Sequence, residues 1–366
     1  MHSRIFTEFR FVKKDFQFEV RYMKVAKWYN NKDIRIEDLP KPQPGRREIL
    51  VKIISCGICG SDIVEWYRLP RAPLIPGHEI GGLVVETGES VSDFKPGDRV
   101  FVAPKVPCMN CYYCIKGSHP VCADVADRLP GGFAEYVLVP DSIVTNGTYL
   151  LPDSITYDQS TFIEPLACVV RAQKQAGIRE EQTVLIIGCG MSGLLHVKLG
   201  KVKNCKIIAT DINPQKLVYA ARFGSDITVD AGENVPEILL ARNGRKADVV
   251  ILCASALSAV EQAWKCVDKG GTIVFFTVPG PEKKVEIPLN YFWTREVKIL
   301  TSYYCGPPDI LDAMDLMNTG TIIVDDLITH KLPLSDIVKG YRLVVEGKES
   351  IKVIITPDES VVSPAP

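Results

Sequence analysis

The chain has 366 residues, a formal net charge of −1 at pH 7, and a composition that is 46% hydrophobic and 24% charged. A chain of this length is expected to form about two domains, each with its own core, and the balanced charge excludes the basic field of a nucleic-acid or membrane-surface protein. No apolar run approaches the roughly 20 residues that cross a bilayer, so we expect neither nucleic acid nor a membrane among the partners.

The first 22 residues are rich in aromatic side chains and precede a segment that has the pattern of an ordinary domain start at Met23. Apolar and polar residues alternate over positions 16–22, which is typical of a strand. The acidic residues and the lack of a continuous apolar core argue against a transit or secretory peptide. Residues 1–22 are therefore predicted to be an N-terminal extension, either an added strand or a tail.

Short strands separated by turns dominate residues 23–165. Proline and glycine punctuate the segment, as in antiparallel, barrel-like β regions. The predicted strands cover residues 24–28, 34–39, 49–55, 81–87, 99–104 and 133–140.

Four cysteines with the spacing Cys-x2-Cys-x2-Cys-x7-Cys form the strongest local signal of this region. Four thiolates on one loop can surround a tetrahedral Zn²⁺ and leave no position open, which is typical of a structural site. A disulfide pair, unrelated thiols and an iron–sulfur cluster are the alternatives. Clustering among twelve cysteines favours a metal and a reducing compartment, so we expect a cytoplasmic protein. The four are Cys108, Cys111, Cys114 and Cys122.

A glycine turn follows a short apolar run at residues 184–187. Gly188, Gly190 and Gly193 match G-x-G-x-x-G, in which the glycines permit a sharp turn, close approach of a pyrophosphate, and packing of helix on strand. Met191 and Ser192 open the helix, whose N-terminal N–H groups favour a phosphate. Asp211 ends the next apolar run, where an acidic residue binds the ribose hydroxyls of NAD and repels the 2′-phosphate of NADP.

Further strand-like runs, with helix-compatible segments between them, predict a doubly wound parallel sheet of six strands. Beyond Tyr304 the chain returns to polar helix and strand up to residue 356, so this domain is predicted to be inserted into the β-rich one. The runs that follow the first strand cover residues 206–210, 227–230, 248–253, 271–278 and 297–301.

These stretches resemble the zinc-containing medium-chain dehydrogenases, in particular the sorbitol (polyol) and threonine dehydrogenase branch. The resemblance runs from about Met23 to the end of the chain. Besides the glycine turn and the four-cysteine loop, the matching motifs are Gly57-Ile58-Cys59-Gly60-Ser61-Asp62, Gly77-His78-Glu79, Pro96-Gly97-Asp98-Arg99-Val100, Gly131-Gly132-Phe133-Ala134-Glu135-Tyr136 and Glu164-Pro165-Leu166.

The resemblance implies an α/β plus β fold in which a GroES-like β-barrel catalytic domain carries an inserted Rossmann domain. The expected ranges are 23–165 for the catalytic domain, 166–304 for the NAD-binding Rossmann domain, and 305–366 for the return to the catalytic domain. It also implies one catalytic and one structural Zn²⁺, NAD as cofactor, and a homodimer or homotetramer.

The resemblance also implies a catalytic zinc that is bound by Cys59 and His78. Each of these residues alone is unremarkable, since a lone cysteine is usually a small buried hydrophobe. Glu79 and Glu164 both belong in the site, and either one is the direct ligand while the other contacts the bound water. Cys168 is a less favoured ligand.

The implied chemistry is oxidation of a hydroxyl polarised by the metal, with hydride passing to NAD. Ser61 is expected to accept the hydroxyl proton, and Asp62 to orient the His78 ring. Val64 stands where simple alcohol dehydrogenases have a relaying histidine, so the path of the proton must differ here.

Trp66 and Tyr304 are the expected substrate residues. Tyr303 replaces the arginine that precedes this tyrosine in sorbitol dehydrogenases, which leaves polyols, sugars and cyclitols open as substrates. The alternatives are a threonine dehydrogenase or simple alcohol dehydrogenase, a zinc-free reductase, and a silent nicotinamide-binding regulatory protein.

Overall fold

The computed structural model describes residues 20–125 and 127–357. The predicted strand at positions 16–22 lies mostly outside these residues, and the first observed strand begins at Tyr22. No helix in the described ranges combines the length and apolar character needed to cross a lipid bilayer.

The N-terminal part is mainly antiparallel sheet, as predicted. Its core is closed by large apolar side chains, among them Trp28 and Phe133, which are almost fully buried. Its strands are β1 Tyr22–Asn30, β2 Asp33–Pro40, β3 Ile49–Gly57, β4 Glu79–Thr87, β5 Arg99–Val102, β6 Tyr136–Val139 and β7 Thr148–Leu150. Its helices are α1 Glu65–Arg68, α2 Tyr112–Ile115, α3 Asp141–Gly147, α4 Tyr157–Ser160 and α5 Ile163–Gln175, with 3₁₀ turns at Gly60–Ile63, Leu69–Arg71 and His119–Val121.

A parallel sheet with the strand order β10-β9-β8-β11-β12-β13 follows, which confirms the doubly wound prediction. Strand β8 is buried on both faces because helices cover each side of the sheet, and this burial explains its continuous apolar run. The strands are β8 Thr183–Ile187, β9 Lys206–Asp211, β10 Ile227–Asp230, β11 Ala247–Leu252, β12 Val267–Phe275 and β13 Lys298–Thr301. The helices are α6 Met191–Val202, α7 Pro214–Arg222, α8 Val235–Asn243, α9 Leu257–Cys266 and α10 Leu289–Trp293.

The last part of the chain completes the first sheet. The elements are α11 Pro307–Asn318, β14 Ile328–Pro333, α12 Ile337–Glu346 and β15 Lys352–Thr356, with 3₁₀ turns at Asp325–Leu327 and Leu334–Asp336. Strand β15 pairs antiparallel with β3, and β14 pairs parallel with β15. The expected boundary between residues 165 and 166 falls inside helix α5, so no linker separates the two parts at this point.

The direction in which successive strands are added to the parallel sheet changes after β10, so that β8 has β9 on one side and β11 on the other. The chain runs outward from β8 to β9 and β10, then returns to β11 on the other side. In open α/β sheets, ligands bind at the carboxyl ends of strands at such a reversal. The glycine turn follows β8 at this point, and it faces the antiparallel part of the molecule.

Candidate active site

Cys59 caps a short 3₁₀ turn directly after β3. Its Sγ accepts the N–H of Ser61 at 3.4 Å, and the Asp62 carboxylate accepts the N–H of Cys59 at 3.1 Å. This reciprocal cap satisfies two otherwise unpaired donors of the turn. It fixes the thiol at the end of a buried strand.

Asp62 links the neighbouring side chains of the site. Its fully buried carboxylate lies 3.2 Å from His78 Nδ1 and accepts a hydrogen bond from Arg68 Nη2 at 2.7 Å. Burial alone would raise the pKa of Asp62, but His78, Arg68 and the N–H of Cys59 lower it below its ordinary value. The contact expected between Asp62 and the His78 ring is therefore present, and it leaves Nε2 as the ring nitrogen available to a metal.

Cys59, His78 and Glu79 converge, as the donor set of a zinc ion would. One ligand atom from each lies within 4.8 Å of the other two. Sulfur, imidazole nitrogen and carboxylate oxygen are all zinc ligands. Burial would lower the pKa of His78, but Asp62 and Cys59 raise it well above the ordinary value. The surroundings of the ring are thus electronegative and suited to a cation.

One carboxylate oxygen of Glu79 is paired with Lys352, and the other is free to bind a metal. Its Oε2 pairs with the buried ammonium group of Lys352, which also donates to the carbonyl of Thr161 at 3.0 Å. Its Oε1 is buried and has no hydrogen-bond partner among the described residues. Gly57 makes room for the pair, since a Cβ there would lie 2.0 Å from Oε2. A buried orphan oxygen beside a thiol and an imidazole fits metal binding.

Glu164 groups with a different set of side chains. It lies in the first turn of α5, and its ligand atom is within 4.8 Å of those of Cys168 and Cys305. The Cys168 thiol donates to its Oε1 at 3.5 Å, and burial raises the pKa of Glu164. Glu164 still lines the same cavity as Cys59 and His78.

The four-cysteine loop gathers its sulfur atoms as predicted. The Sγ–Sγ separations include 3.4 Å for Cys108–Cys122 and 3.5 Å for Cys111–Cys114, and all four atoms lie within 4.8 Å of one another. All are free thiols. Zn–S bonds of about 2.3 Å in a tetrahedron need sulfur separations near 3.8 Å. Backbone N–H groups of Ala123 and Cys114 lower the pKa of Cys111 to about 6, whereas burial and the hydrogen bonds to neighbouring thiols raise the pKa of Cys114 to about 12. A metal ion would therefore be needed to hold all four side chains as thiolates.

The glycine turn has the backbone that a bound pyrophosphate requires. Gly188 has φ of 97°, in the region that favours glycine. A Cβ on Gly193 would lie 1.9 Å from the Gly188 carbonyl oxygen, whereas a Cβ on Gly190 would meet nothing within 4 Å. The carboxylate of Asp211 accepts the N–H of Cys189 at 2.6 Å, which places it against the turn.

One cavity of about 380 Å³ joins the two halves of the site. Cys59, Ser61, His78 and Glu164 line it from one side, and Met191 and Ser192 from the other. Tyr304 also lines it. The candidate metal ligands Cys59 and His78 thus lie in the same cleft as the start of helix α6.

Trp66 does not line this cavity, contrary to the expectation. Its side chain is 44% exposed, and its ring packs edge-on against Tyr67, which does line the cavity. Successive side chains on helix α1 differ in direction by about 100°. Tyr67, the next residue, therefore lines the cleft instead.

The sequence reasoning missed several residues of the cavity and its support. Lys352 had a readable signal, because a lysine inside the apolar run Lys352-Val353-Ile354-Ile355 requires a buried partner. Arg68 had no such signal, because the extended residue Val64 separates the 3₁₀ turn that holds Ser61 from helix α1. No local pattern marked the remaining ones, which are Tyr67, Arg71, Lys105 and Arg128.

Comparisons with known proteins agree with this geometry. Residues 45–152 match the model of the alcohol dehydrogenase GroES-like domain, and residues 193–319 match that of zinc-binding dehydrogenases. The sorbitol dehydrogenase of Bacillus subtilis is 30% identical, over 92% of this chain and 98% of its own. The erythritol/L-threitol dehydrogenase of Mycolicibacterium smegmatis is 31% identical, over 89% and 95%. A candidate zinc-binding dehydrogenase of Sinorhizobium meliloti, solved with NADP, is 31% identical with a TM-score of 0.82, over 92% and 100%.

Proposed function

Since the chain belongs to the zinc-dependent medium-chain alcohol dehydrogenase family, we propose that it oxidises a secondary alcohol of a polyol, sugar or cyclitol and transfers hydride to NAD. The observation that carries this proposal is the convergence of Cys59, His78 and Glu79, of which Cys59 and His78 line a cavity that also reaches the N-terminus of helix α6. The sorbitol and erythritol/threitol dehydrogenases among the relatives support a polyol as substrate.

Cys59, His78 and the free Oε1 of Glu79 are the proposed zinc ligands. When bound, zinc supplies a Lewis acid that lowers the pKa of the substrate hydroxyl, and the nicotinamide supplies the hydride acceptor. We assign Glu79 as the direct carboxylate ligand, because its orphan oxygen needs a partner. Glu164, which lines the same cavity, is proposed to hold the water or the hydroxyl.

Ser61 is the proposed first acceptor of the hydroxyl proton. Its Oγ lies 3.5 Å from His78 Nε2 and accepts a hydrogen bond from Arg68 Nη2 at 3.1 Å. Arg68 therefore orients the hydroxyl of Ser61, which is proposed to accept the substrate proton on Oγ as it passes its own proton on. With Val64 in place of a relaying histidine, the proton is proposed to pass from Ser61 to Glu164 or to water in the cavity, because the guanidinium of Arg68 stays protonated and cannot carry it.

NAD is the proposed cofactor over NADP. Asp211 places a carboxylate where the adenosine ribose of a dinucleotide would lie, and its charge disfavours a 2′-phosphate. A homo-oligomer is also proposed, because β13 ends the parallel sheet of the described chain and the nearby Trp293 is 80% exposed. A cytoplasmic location is supported by twelve cysteines that are all free thiols.

A substrate panel with zinc quantified tests the proposal. Absorbance of NADH at 340 nm is followed with four- to six-carbon polyols, cyclitols, simple alcohols and L-threonine. Turnover of a polyol or cyclitol above the others is expected, with two zinc ions per chain. Turnover of threonine alone, or no turnover on any alcohol, would reject it.

The variant Cys59→Ala adds a mechanistic check. It is expected to lose one zinc per chain and nearly all turnover while keeping its affinity for NADH, because the glycine turn is not altered. An active variant with full zinc content would show that Cys59 is not a ligand of the catalytic zinc.

A further inference from the structure

The cavity is more basic than oxidation of a neutral alcohol requires. Arg68, Arg71, Lys105 and Arg128 line it, whereas Glu164 is its only acidic lining residue in the described chain. Arg68 is already neutralised, because Asp62 accepts its hydrogen bond at 2.7 Å. The other three cations are therefore the ones that need an explanation.

Two of these cations lie over the rings of Tyr67 and Tyr303, whose hydroxyl groups are 2.8 Å apart. The guanidinium of Arg71 lies 4.7 Å from the centre of the Tyr67 ring, and the ammonium of Lys105 lies 5.0 Å from that of Tyr303. Arg128 is brought beside Lys105 by an antiparallel bridge between their backbones. No carboxylate of the described residues lies within 4 Å of any of the three.

Leaving these cations together without a counter-charge has a cost. Burial lowers the pKa of Lys105, and the positive charge of Arg128 lowers it further. The faces of Tyr303 and Tyr304 offset part of this cost, since a cation over an aromatic ring gains about 0.5–2 kcal/mol. A cleft lined by one sign of charge with apolar walls raises the local concentration of ligands of the opposite sign.

We propose that the substrate carries an anionic group, a phosphate ester or a carboxylate, which Arg71, Lys105 and Arg128 bind while the hydroxyl to be oxidised lies at Cys59 and His78. This inference rests on the proposed function and narrows its substrate class to acidic derivatives of polyols or sugars. Arginine is suited to the task, because its planar fork matches phosphate and carboxylate oxygens.

The phosphates of the cofactor are the competing explanation for this charge. Met191 and Ser192 line the same cavity, so a dinucleotide bound at the glycine turn would enter it too. The two explanations differ in what the cations recognise. A role toward the cofactor predicts weaker NADH binding when a cation is removed, whereas a role toward the substrate predicts a higher KM for the anionic alcohol only.

The first experiment compares matched substrates on the zinc-loaded wild-type enzyme. Neutral polyols of four to six carbons are paired with their terminal phosphate esters and with the corresponding aldonates. At least one anionic series is expected to exceed its neutral parents tenfold or more in kcat/KM, and the better series identifies the group. The preference is expected to shrink as ionic strength rises.

Parity between every anionic substrate and its neutral parent would overturn this inference and leave the proposed function intact. An absence of turnover on all neutral and anionic alcohols would instead defeat the proposed function.

The second experiment removes single cations by Arg128→Gln and Lys105→Gln. Each is expected to raise KM for the preferred anionic substrate about tenfold, with a much smaller effect on the neutral parent, so the preference itself falls. The matched control is Arg242→Gln on helix α8, an exposed arginine outside the cavity, which should keep the wild-type preference. NADH affinity, measured by fluorescence without substrate, should stay within twofold in all three variants. An equal loss of NADH affinity and of anionic preference would overturn the inference.

Discussion

At the scale of single residues, Asp62 determines how the candidate metal site is held. The carboxylate contacts both His78 and Arg68, and through Arg68 it also positions Ser61. One buried side chain thus sets the ring orientation of a ligand and the hydroxyl of the proposed proton acceptor.

The variant Asp62→Asn is expected to lower kcat/KM by roughly 10–100-fold and to weaken zinc binding, because removal of a group that orients a metal-bound histidine has effects of this size. Steady-state kinetics and zinc titration with a competing chelator measure both. The control Asp33→Asn removes an exposed carboxylate that pairs with Arg35 and should change neither. Wild-type zinc affinity in Asp62→Asn would contradict the assigned contact.

Asp211 is the residue on which the choice of cofactor is proposed to depend. Replacement by serine removes the negative charge and should shift the ratio of kcat/KM for NADP over NAD upward by about tenfold or more, equivalent to about 1.4 kcal/mol. Because Asp211 also accepts the N–H of Cys189, thermal unfolding must be followed in parallel. An unchanged ratio in a folded variant would mean that another side chain contacts the ribose.

At the scale of elements, two glycines of the turn are expected to have different roles, one in folding and one in cofactor binding. Gly193 has no space for a Cβ, since one would meet the Gly188 carbonyl oxygen, but Gly190 faces open space with an ordinary φ of −68°. Gly193 is therefore expected to be needed for folding, and Gly190 for the approach of the cofactor.

Gly193→Ala is expected to destabilise the protein without cofactor by about 1–3 kcal/mol, the usual cost of overpacking. Gly190→Ala should keep the wild-type Tm without cofactor and lose about tenfold or more in NADH affinity, because the added methyl group occupies the approach of the pyrophosphate. Thermal unfolding and NADH fluorescence measure the pair. Equal NADH affinity in Gly190→Ala and wild type would place the pyrophosphate elsewhere.

The four-cysteine loop is a second element, and its order is proposed to depend on one zinc ion. Cys111→Ser should lower the zinc content from two ions to one per chain and speed proteolysis within residues 104–125, because short loops without a core depend on cross-links. Tyr112→Phe changes an exposed neighbour in the same loop and should keep both zinc ions. Retention of two zinc ions by Cys111→Ser would rule out a site with four thiolates.

At the scale of the whole molecule, the buried pair of Glu79 and Lys352 joins segments far apart in the chain. Glu79 lies on β4 near the N-terminal end, and Lys352 begins β15 near the C-terminal end. Strand β15, which follows the inserted domain, thereby holds in position the carboxylate that is proposed to bind zinc.

Lys352→Met is expected to lower the free energy of unfolding by about 3–5 kcal/mol, because it leaves a buried carboxylate without its partner. The loss should be larger in zinc-free protein than in zinc-loaded protein, since the metal would supply a counter-charge. Lys24→Met breaks the exposed pair with Asp38 and should cost less than about 1 kcal/mol. Urea unfolding of the wild type and both variants, with and without zinc, measures these free energies. An equal loss of unfolding free energy in Lys352→Met and Lys24→Met would contradict a stabilising role for the buried pair.

Much of this protein is determined by patterns that are local in the sequence. The strands of both sheets follow from the periodicity of apolar residues, and the glycine turn and the cysteine loop follow from fixed spacings that one turn or one ion requires. The membership of Cys59 and His78 in one site was implied by family motifs and not by proximity along the chain.

Only the tertiary structure decided how distant side chains meet. It paired Glu79 with Lys352 and left one oxygen free, grouped Glu164 with Cys168 and Cys305, and turned Tyr67 rather than Trp66 into the cleft. It also assembled Arg71, Lys105 and Arg128 around one cavity. The physical reason is that sequence periodicity fixes which face of an element is buried, whereas the contacts of a buried polar group depend on elements that return from elsewhere in the chain.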